Sequence, residues 1–236
     1  MLVLRSLAFN VYLYSLTAGM AVVCAPLLIL PGRFSLMAIK SWAGLALWGL
    51  RTIAGIRYEI RGAEFVPQGG ALIAAKHQSM WETIAVFRIL KTPAVVLKKE
   101  LSFIPLYGWF AIRAGMVVVD RAAHARALKA MTARARARLD DGAQIVIFPE
   151  GSRAPPGQSI GYKPGIAALY TQLGVPCVPV ALNSGLYWGR RTFLRRPGTI
   201  VVQFLPPIDA GLKRKAFMSE LEARIETASN ALLDMS

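Results

Sequence analysis

The chain has 236 residues with 28 Lys+Arg against 13 Asp+Glu, a formal net charge of +15, and 55% apolar against 17% charged residues. A soluble domain usually carries about 25% charged residues, so composition excludes a disordered chain and argues against a purely soluble one. Cys24 and Cys177 with no CxxC, and only His77 and His124, exclude a disulfide framework and a His-rich metal site. Basic charge joined to high hydrophobicity points to an anionic membrane surface as partner. Nucleic acid is not expected, because no RNP, zinc-finger or helix-turn-helix pattern is present.

Leu7 to Leu30 carries no charged residue. As a helix it is long enough to span a bilayer core of about 30 Å, and Pro26 and Pro31 punctuate its end. Phe34 to Leu50 is a second apolar stretch, interrupted by Lys40 and bearing Trp42 and Trp48, indoles that suit a membrane interface. No small-x-small cleavage site follows the first stretch, which favours an anchor over a cleaved signal. Arg5 and Arg33 flank it without deciding its orientation. No acidic residue precedes Glu59, and none lies between Glu150 and Asp209. Both regions hold several Arg and Lys among apolar residues, a pattern that suits anionic lipid.

From Arg57 short β-rich runs alternate with helical patterns. Strands are predicted at Ala71–Ala75, Ala94–Leu97, Met116–Val119, Gln144–Phe148, Val175–Leu182 and Thr199–Phe204. Helices are predicted at about Ser79–Leu90, Ala122–Leu139, Gly165–Leu173 and Lys213–Leu233. On the second of these, Leu128, Met131, Ala135 and Leu139 share one face. The alternation implies an α/β fold, a β-sheet core with helices on both faces. The change of texture predicts an N-terminal hydrophobic two-helix membrane-docking segment, residues 1–56, ahead of the α/β domain, residues 57–236.

Polar residues cluster where predicted strands end. In Lys76-His77-Gln78-Ser79-Met80-Trp81-Glu82, a single helix would turn His77 and Glu82 apart. If His77 ends a strand and Ser79 caps the next helix, Glu82 folds back toward the imidazole. A carboxylate there holds one ring N–H while the other nitrogen takes a proton. The competing reading is a loop histidine beside a glutamate that favours a helix start. Phe148-Pro-Glu150-Gly151-Ser152-Arg153 follows the most apolar strand, and an arginine fork there suits a phosphate. Lys98 and Arg121 follow two further strands. Gly157-Gln-Ser159-Ile-Gly161 matches the nucleophile-elbow pattern, but prolines stand where the elbow needs a strand and a helix.

These blocks together resemble the 1-acylglycerol-3-phosphate acyltransferase family, from about Ala71 to Gly185. His77 to Glu82 is similar to the His-x4-Asp signature, with Glu in place of the usual Asp. Lys98 to Gly108 resembles the Lys-x-Glu-Leu…Pro…Gly block, and Phe148 to Arg153 the Phe-Pro-Glu-Gly-Ser/Thr-Arg block. Tyr162 to Gly165 and Val178-Pro179-Val180 resemble the blocks that follow. The resemblance implies acyl transfer from acyl-CoA or acyl carrier protein to the free hydroxyl of a lysophospholipid, giving phosphatidic acid. His77 and Glu82 would be catalytic. Lys98, Arg121, Glu150, Gly151, Ser152 and Arg153 would bind substrate, with Glu150 on the glycerol hydroxyl and the cations on the phosphate. No metal or redox cofactor is implied. The expected location is a membrane, on the cytoplasmic face of a bacterial inner membrane. The alternatives are transfer to another lysophospholipid or a lyso-aminolipid, a lysophospholipid hydrolase using Ser79 or Ser152, and a non-enzymatic lipid-binding protein.

Overall fold

The structure, a computed structural model, describes residues 1–120 and 124–234. Helix α1 (Leu2–Val23) and helix α2 (Gly32–Gly49) form a hairpin joined by a 3₁₀ turn at Ala25–Ile29. The uninterrupted charge-free run is thus broken before Leu30: Pro26 supplies no N–H to continue the ladder, and the chain turns. α1 is long and apolar enough to cross a membrane by length and composition.

Strand β1 (Ile56–Arg61) leads into β2 (Ala71–Ala75), α3 (Trp81–Ile89), β3 (Pro93–Lys98), α4 (Tyr107–Arg113) and β4 (Val117–Val119). Then come α5 (His124–Asp140), β5 (Gln144–Ile147), α6 (Gly165–Leu173), β6 (Cys177–Leu182), β7 (Gly198–Phe204) and α7 (Arg214–Ala231). The seven strands form one sheet in the order β1-β7-β6-β2-β5-β3-β4. β2 to β6 run parallel, while β7 is antiparallel to β6 and carries β1 parallel to itself. The carboxyl ends of β2 to β6 therefore share one edge. β1 adds a strand to those predicted. Its signal is the alternation of Ile56, Tyr58 and Ile60 with Arg57, Glu59 and Arg61.

Period-2 alternation divides the core between the two faces. Ile73, Ala75, Val146 and Phe148 turn toward α1 to α4, together with Phe9, Leu13, Ala46 and Leu50 of the N-terminal hairpin. Leu72, Ala74, Ile145 and Ile147 turn toward α5, α6 and α7, meeting Met131, Leu169 and Phe217. The apolar hairpin is therefore one of the layers covering the sheet. Lys40 of α2 donates to the carbonyls of Leu90 (3.1 Å) and Lys91 (2.8 Å) at the end of α3, a favourable site for a cation. Trp42, whose indole suggested a membrane interface, instead donates to Thr17 Oγ1 at 3.0 Å and locks the hairpin. Trp48 is exposed.

Candidate active site

β2 ends at Ala75, and the next residues leave the sheet at its carboxyl edge, where α/β proteins build their sites. Lys76 N–H still donates to Val180 O at 2.9 Å, so His77 is the first residue clear of the ladder. Helix α3 begins four residues later. Ser79 Oγ accepts the Trp81 N–H at 2.9 Å, and Glu82 Oε1 reaches back to accept the Ser79 N–H at 2.6 Å. This reciprocal pair resembles a capping box set one residue ahead of the N-cap Met80, and it satisfies the first N–H of the helix, that of Trp81. It fixes Glu82 over the turn containing His77.

Glu82 is buried and fully engaged. Oε1 accepts from His77 Nδ1 (2.8 Å) and Gln78 N–H (2.7 Å), besides Ser79 N–H. Oε2 accepts from the hydroxyls of Ser79 (2.9 Å) and Ser184 (2.8 Å). Burial pushes this carboxyl up, but the hydrogen bond and charge of His77, with the Ser79 N–H, hold it below the usual carboxylate range. An ionised carboxylate only accepts, so Nδ1 carries a proton and Nε2 is the nitrogen left to exchange one with a substrate. The ring stacks on Phe148, centroids 4.3 Å apart, and its side chain keeps 15% exposure.

The block after β5 closes against this loop. Glu150 Oε2 accepts the His77 N–H at 2.7 Å, and Ala154 N–H donates to His77 O at 2.8 Å. Gly151 takes the left-handed φ of +68° that lets the chain double back between them. Glu150, expected to position an acceptor hydroxyl, is instead turned inward. It is 0% exposed and pairs through Oε1 with Lys76 Nζ at 2.8 Å, because a buried carboxylate needs a cation and donors rather than a ligand. Burial still raises its carboxyl above the usual range, and the Glu226 charge adds to this against the lowering by Lys76.

Ser152 and Arg153 are half-buried on the same turn, with Arg153 adjoining the Ala154–His77 contact. Lys98 is exposed at the end of β3, on the same edge but separated from β2 by β5. Arg121 lies outside the described residues. Ser79 has its hydroxyl committed to Glu82 and Trp81, which removes it as a hydrolase nucleophile. Among the described residues no strand runs directly into Ser159, whose hydroxyl donates to Glu222 at 2.9 Å, so the elbow pattern is coincidental. Lys76, Ser184, Glu226 and Arg190 take positions in the site that the sequence pattern does not assign to them. Arg190 donates to Arg153 O at 3.0 Å, and Ser184 carries the recognisable signal, a polar residue just past a buried strand.

The model of the Acyltransferase family matches residues 57–183, which include His77, Glu82 and the Glu150–Arg153 turn and stop just before Ser184. The chain is 36% identical to a 1-acyl-sn-glycerol-3-phosphate acyltransferase of Pseudomonas aeruginosa, over 86% of this chain and 78% of that protein. It is 32% identical to one from Limnanthes alba, over 70% of this chain and 58% of that protein. Its fold is similar to the crystal structure of the 1-acyl-sn-glycerophosphate (LPA) acyltransferase PlsC from Thermotoga maritima. The TM-score is 0.80 over 98% of both chains, at 22% identity. The matched segment carries the His77–Glu82 pair and the Glu150 turn that closes on it, and the chain belongs to the acyltransferase family.

Proposed function

We propose that the chain transfers an acyl group from an acyl thioester, carried on coenzyme A or on acyl carrier protein, to the free hydroxyl of 1-acylglycerol-3-phosphate. The product is phosphatidic acid. The observation that carries this reading is the buried Glu82 carboxylate holding His77 Nδ1, because it leaves Nε2 as a base at the sheet edge. The names of the similar proteins in Pseudomonas aeruginosa and Limnanthes alba support the acceptor.

His77 Nε2 takes the proton of the acceptor hydroxyl as its oxygen attacks the thioester carbonyl. The tetrahedral intermediate collapses, the C–S bond breaks, and the imidazolium returns the proton to the departing thiolate. Glu82 stabilises the imidazolium between these steps, as an orienting carboxylate does in hydrolytic triads. The thioester is already activated, so neither an acyl-enzyme, a metal nor a redox group is needed. Arg153 clamps the acceptor phosphate with its planar fork, aided by Lys98 and Arg121. Gly151 and Ser152 shape the turn that presents Arg153. The apolar α1 and the cationic surface hold the enzyme on an anionic phospholipid membrane, on the cytoplasmic face of a bacterial inner membrane.

Mass spectrometry of products from lysophosphatidic acid with acyl-CoA, and separately with acyl carrier protein thioester, tests the reading. Phosphatidic acid from either donor supports it and names the donor. Free fatty acid alone would mean a hydrolase. Turnover confined to another lysolipid would move the acceptor assignment.

A further inference from the structure

The segment between β3 and β4 presents an outer face that a water-facing helix would not have. The 3₁₀ turn Lys99–Phe103 and α4 expose Leu101, Phe103, Ile104, Tyr107, Trp109 and Ile112, with Phe103 at 70%, Trp109 at 52% and Ile112 at 54%. The inner face of α4 is already satisfied by Phe110 and Ala111, both buried, with Ala111 in the core cluster. Apolar residues on both sides of an amphipathic-length helix at a protein surface mark an interaction site.

This segment is closely packed and is tied to the N-terminal hairpin. A Cβ on Gly108 would lie 2.0 Å from Ser102 O, so the 3₁₀ turn rests directly on the first turn of α4. A Cβ on Gly32 would lie 2.1 Å from Arg113 O, and Arg113 Nη2 donates to Leu30 O at 2.6 Å. The end of α4 therefore abuts the turn between α1 and α2, where Ile29 and Leu30 are themselves exposed. The segment also follows β3 at the sheet edge that delivers His77, since β2, β5 and β3 run parallel.

We propose that residues 99–113 form a second membrane-inserting surface, which enters an anionic phospholipid bilayer alongside the α1–α2 turn and holds the catalytic edge against the lipid. The proposal rests on the membrane reading given above. A bilayer is the occupant for two reasons. The patch is continuous with an apolar hairpin turn of the same character. Its aromatic residues are flanked by Lys98 and Arg113, with Lys99 paired to Asp120 at 2.8 Å and Glu100 beside it, a neighbourhood of interfacial rings and cations that suits the headgroup level. Lysophospholipid then reaches His77 from the leaflet without crossing water.

The test uses the full chain and vesicles of phosphatidylglycerol and phosphatidylethanolamine. Flotation compares wild type with Phe103→Ser/Ile112→Ser, both exposed positions, checked for unchanged thermal unfolding. Partition of the variant is expected to fall about tenfold or more, since two large apolar side chains leave the lipid. Its turnover of acceptor embedded in vesicles should fall with it, while turnover of detergent-dispersed acceptor stays at the wild-type level. Bromine-labelled lipid should quench wild type more than Trp109→Phe. Wild type that floats while the double variant floats equally well, or equal quenching of the two proteins, overturns the second surface alone. Wild type that does not float overturns the membrane reading as well. A wild-type dimer that the double variant dissociates would assign the patch to a second copy of the chain and overturn the proposal.

Discussion

Lys76 and Glu226 meet at 2.8 Å although 150 residues separate them, and Lys76 is 1% exposed at the foot of the catalytic loop. The same ammonium pairs with Glu150, whose other oxygen holds the His77 N–H. Removing one member of such a group leaves uncompensated buried charge, which costs about 3–5 kcal/mol. Lys76→Met is expected to lower stability by about that much and to slow turnover through misplacement of His77. Glu226→Gln in the same background should recover part of both losses. The sign with pH follows from Glu150. Without the cation its carboxyl rises further, so the stability deficit of Lys76→Met relative to wild type is small below the ordinary carboxylate value and widens as pH rises. Denaturant titration across pH, paired with kcat, checks this. Additive losses in the double variant would show that the three groups do not act together.

His77→Ala should reduce acyl transfer by at least about two decades, the contribution of general base catalysis. Glu82 retains its bonds to Gln78, Ser79 and Ser184, so the unfolding temperature should move little. Turnover above about a tenth of wild type would reject the base assignment.

Glu82 separates charge from length. Glu82→Gln turns an amide donor toward donors that a carboxylate accepts, leaving buried polar groups opposed. Glu82→Asp keeps the charge but falls one methylene short of reaching both His77 and Ser184. Glu82→Asp is expected to retain more activity than Glu82→Gln, measured as kcat at saturating substrates. Because the folded carboxyl lies below its ordinary value, its ionisation stabilises the protein above that value and the benefit is lost as pH falls through the folded one. The stability advantage of wild type over Glu82→Gln should therefore shrink only on the acid side of about pH 4.3.

Arg153→Lys should raise the KM for lysophosphatidic acid and leave the thioester KM nearly unchanged. Lys cannot reproduce a bidentate fork, and a hydrogen bond to a charged group contributes about 1.5–3 kcal/mol, or roughly one to two decades in KM. Separate titration of the two substrates reads the difference. A selective rise in the thioester KM would place the donor's phosphate on Arg153 instead.

Much of the architecture was legible because burial on both sheet faces leaves continuous apolar strands, as in Gln144–Ile147, while the helices between them keep a one-sided pattern. β1 was overlooked although Ile56, Tyr58 and Ile60 alternate with charges, because only Ile56 is buried and the run reads as polar. The hairpin's packing on the sheet was not legible for a different reason. Lipid and a protein core ask for the same apolar side chains, so Phe9 and Leu13 carry no mark of which they face. At the site, His77 and Glu82 were local and readable. The two readings of Glu82, helix start and imidazole partner, prove compatible, since one carboxylate does both. The inward turn of Glu150 was hidden because it depends on Lys76 and the His77 N–H, at the end of another strand, which no short-range pattern connects to it.

The placement of β1 has a consequence for how the chain comes together. β1 ladders only with β7, from Ile56↔Gly198 to Arg61↔Gln203, and Phe9 of α1 packs edge-on against Trp188 at 5.5 Å. β1 and α1 thus wait for neighbours, β7 and Trp188, that are made much later in the chain. At about 5–20 residues per second, the wait is on the order of ten seconds or more. Non-local pairing of this kind also slows the final closure of the sheet. Throughout that interval α2 has α3 and α4 to pack on, but the Phe9 side of α1 lacks Trp188, and a bilayer surface is a shelter whose chemistry it matches. Synthesis away from membranes should accordingly yield aggregated chain, with vesicles present during translation restoring soluble, folded protein.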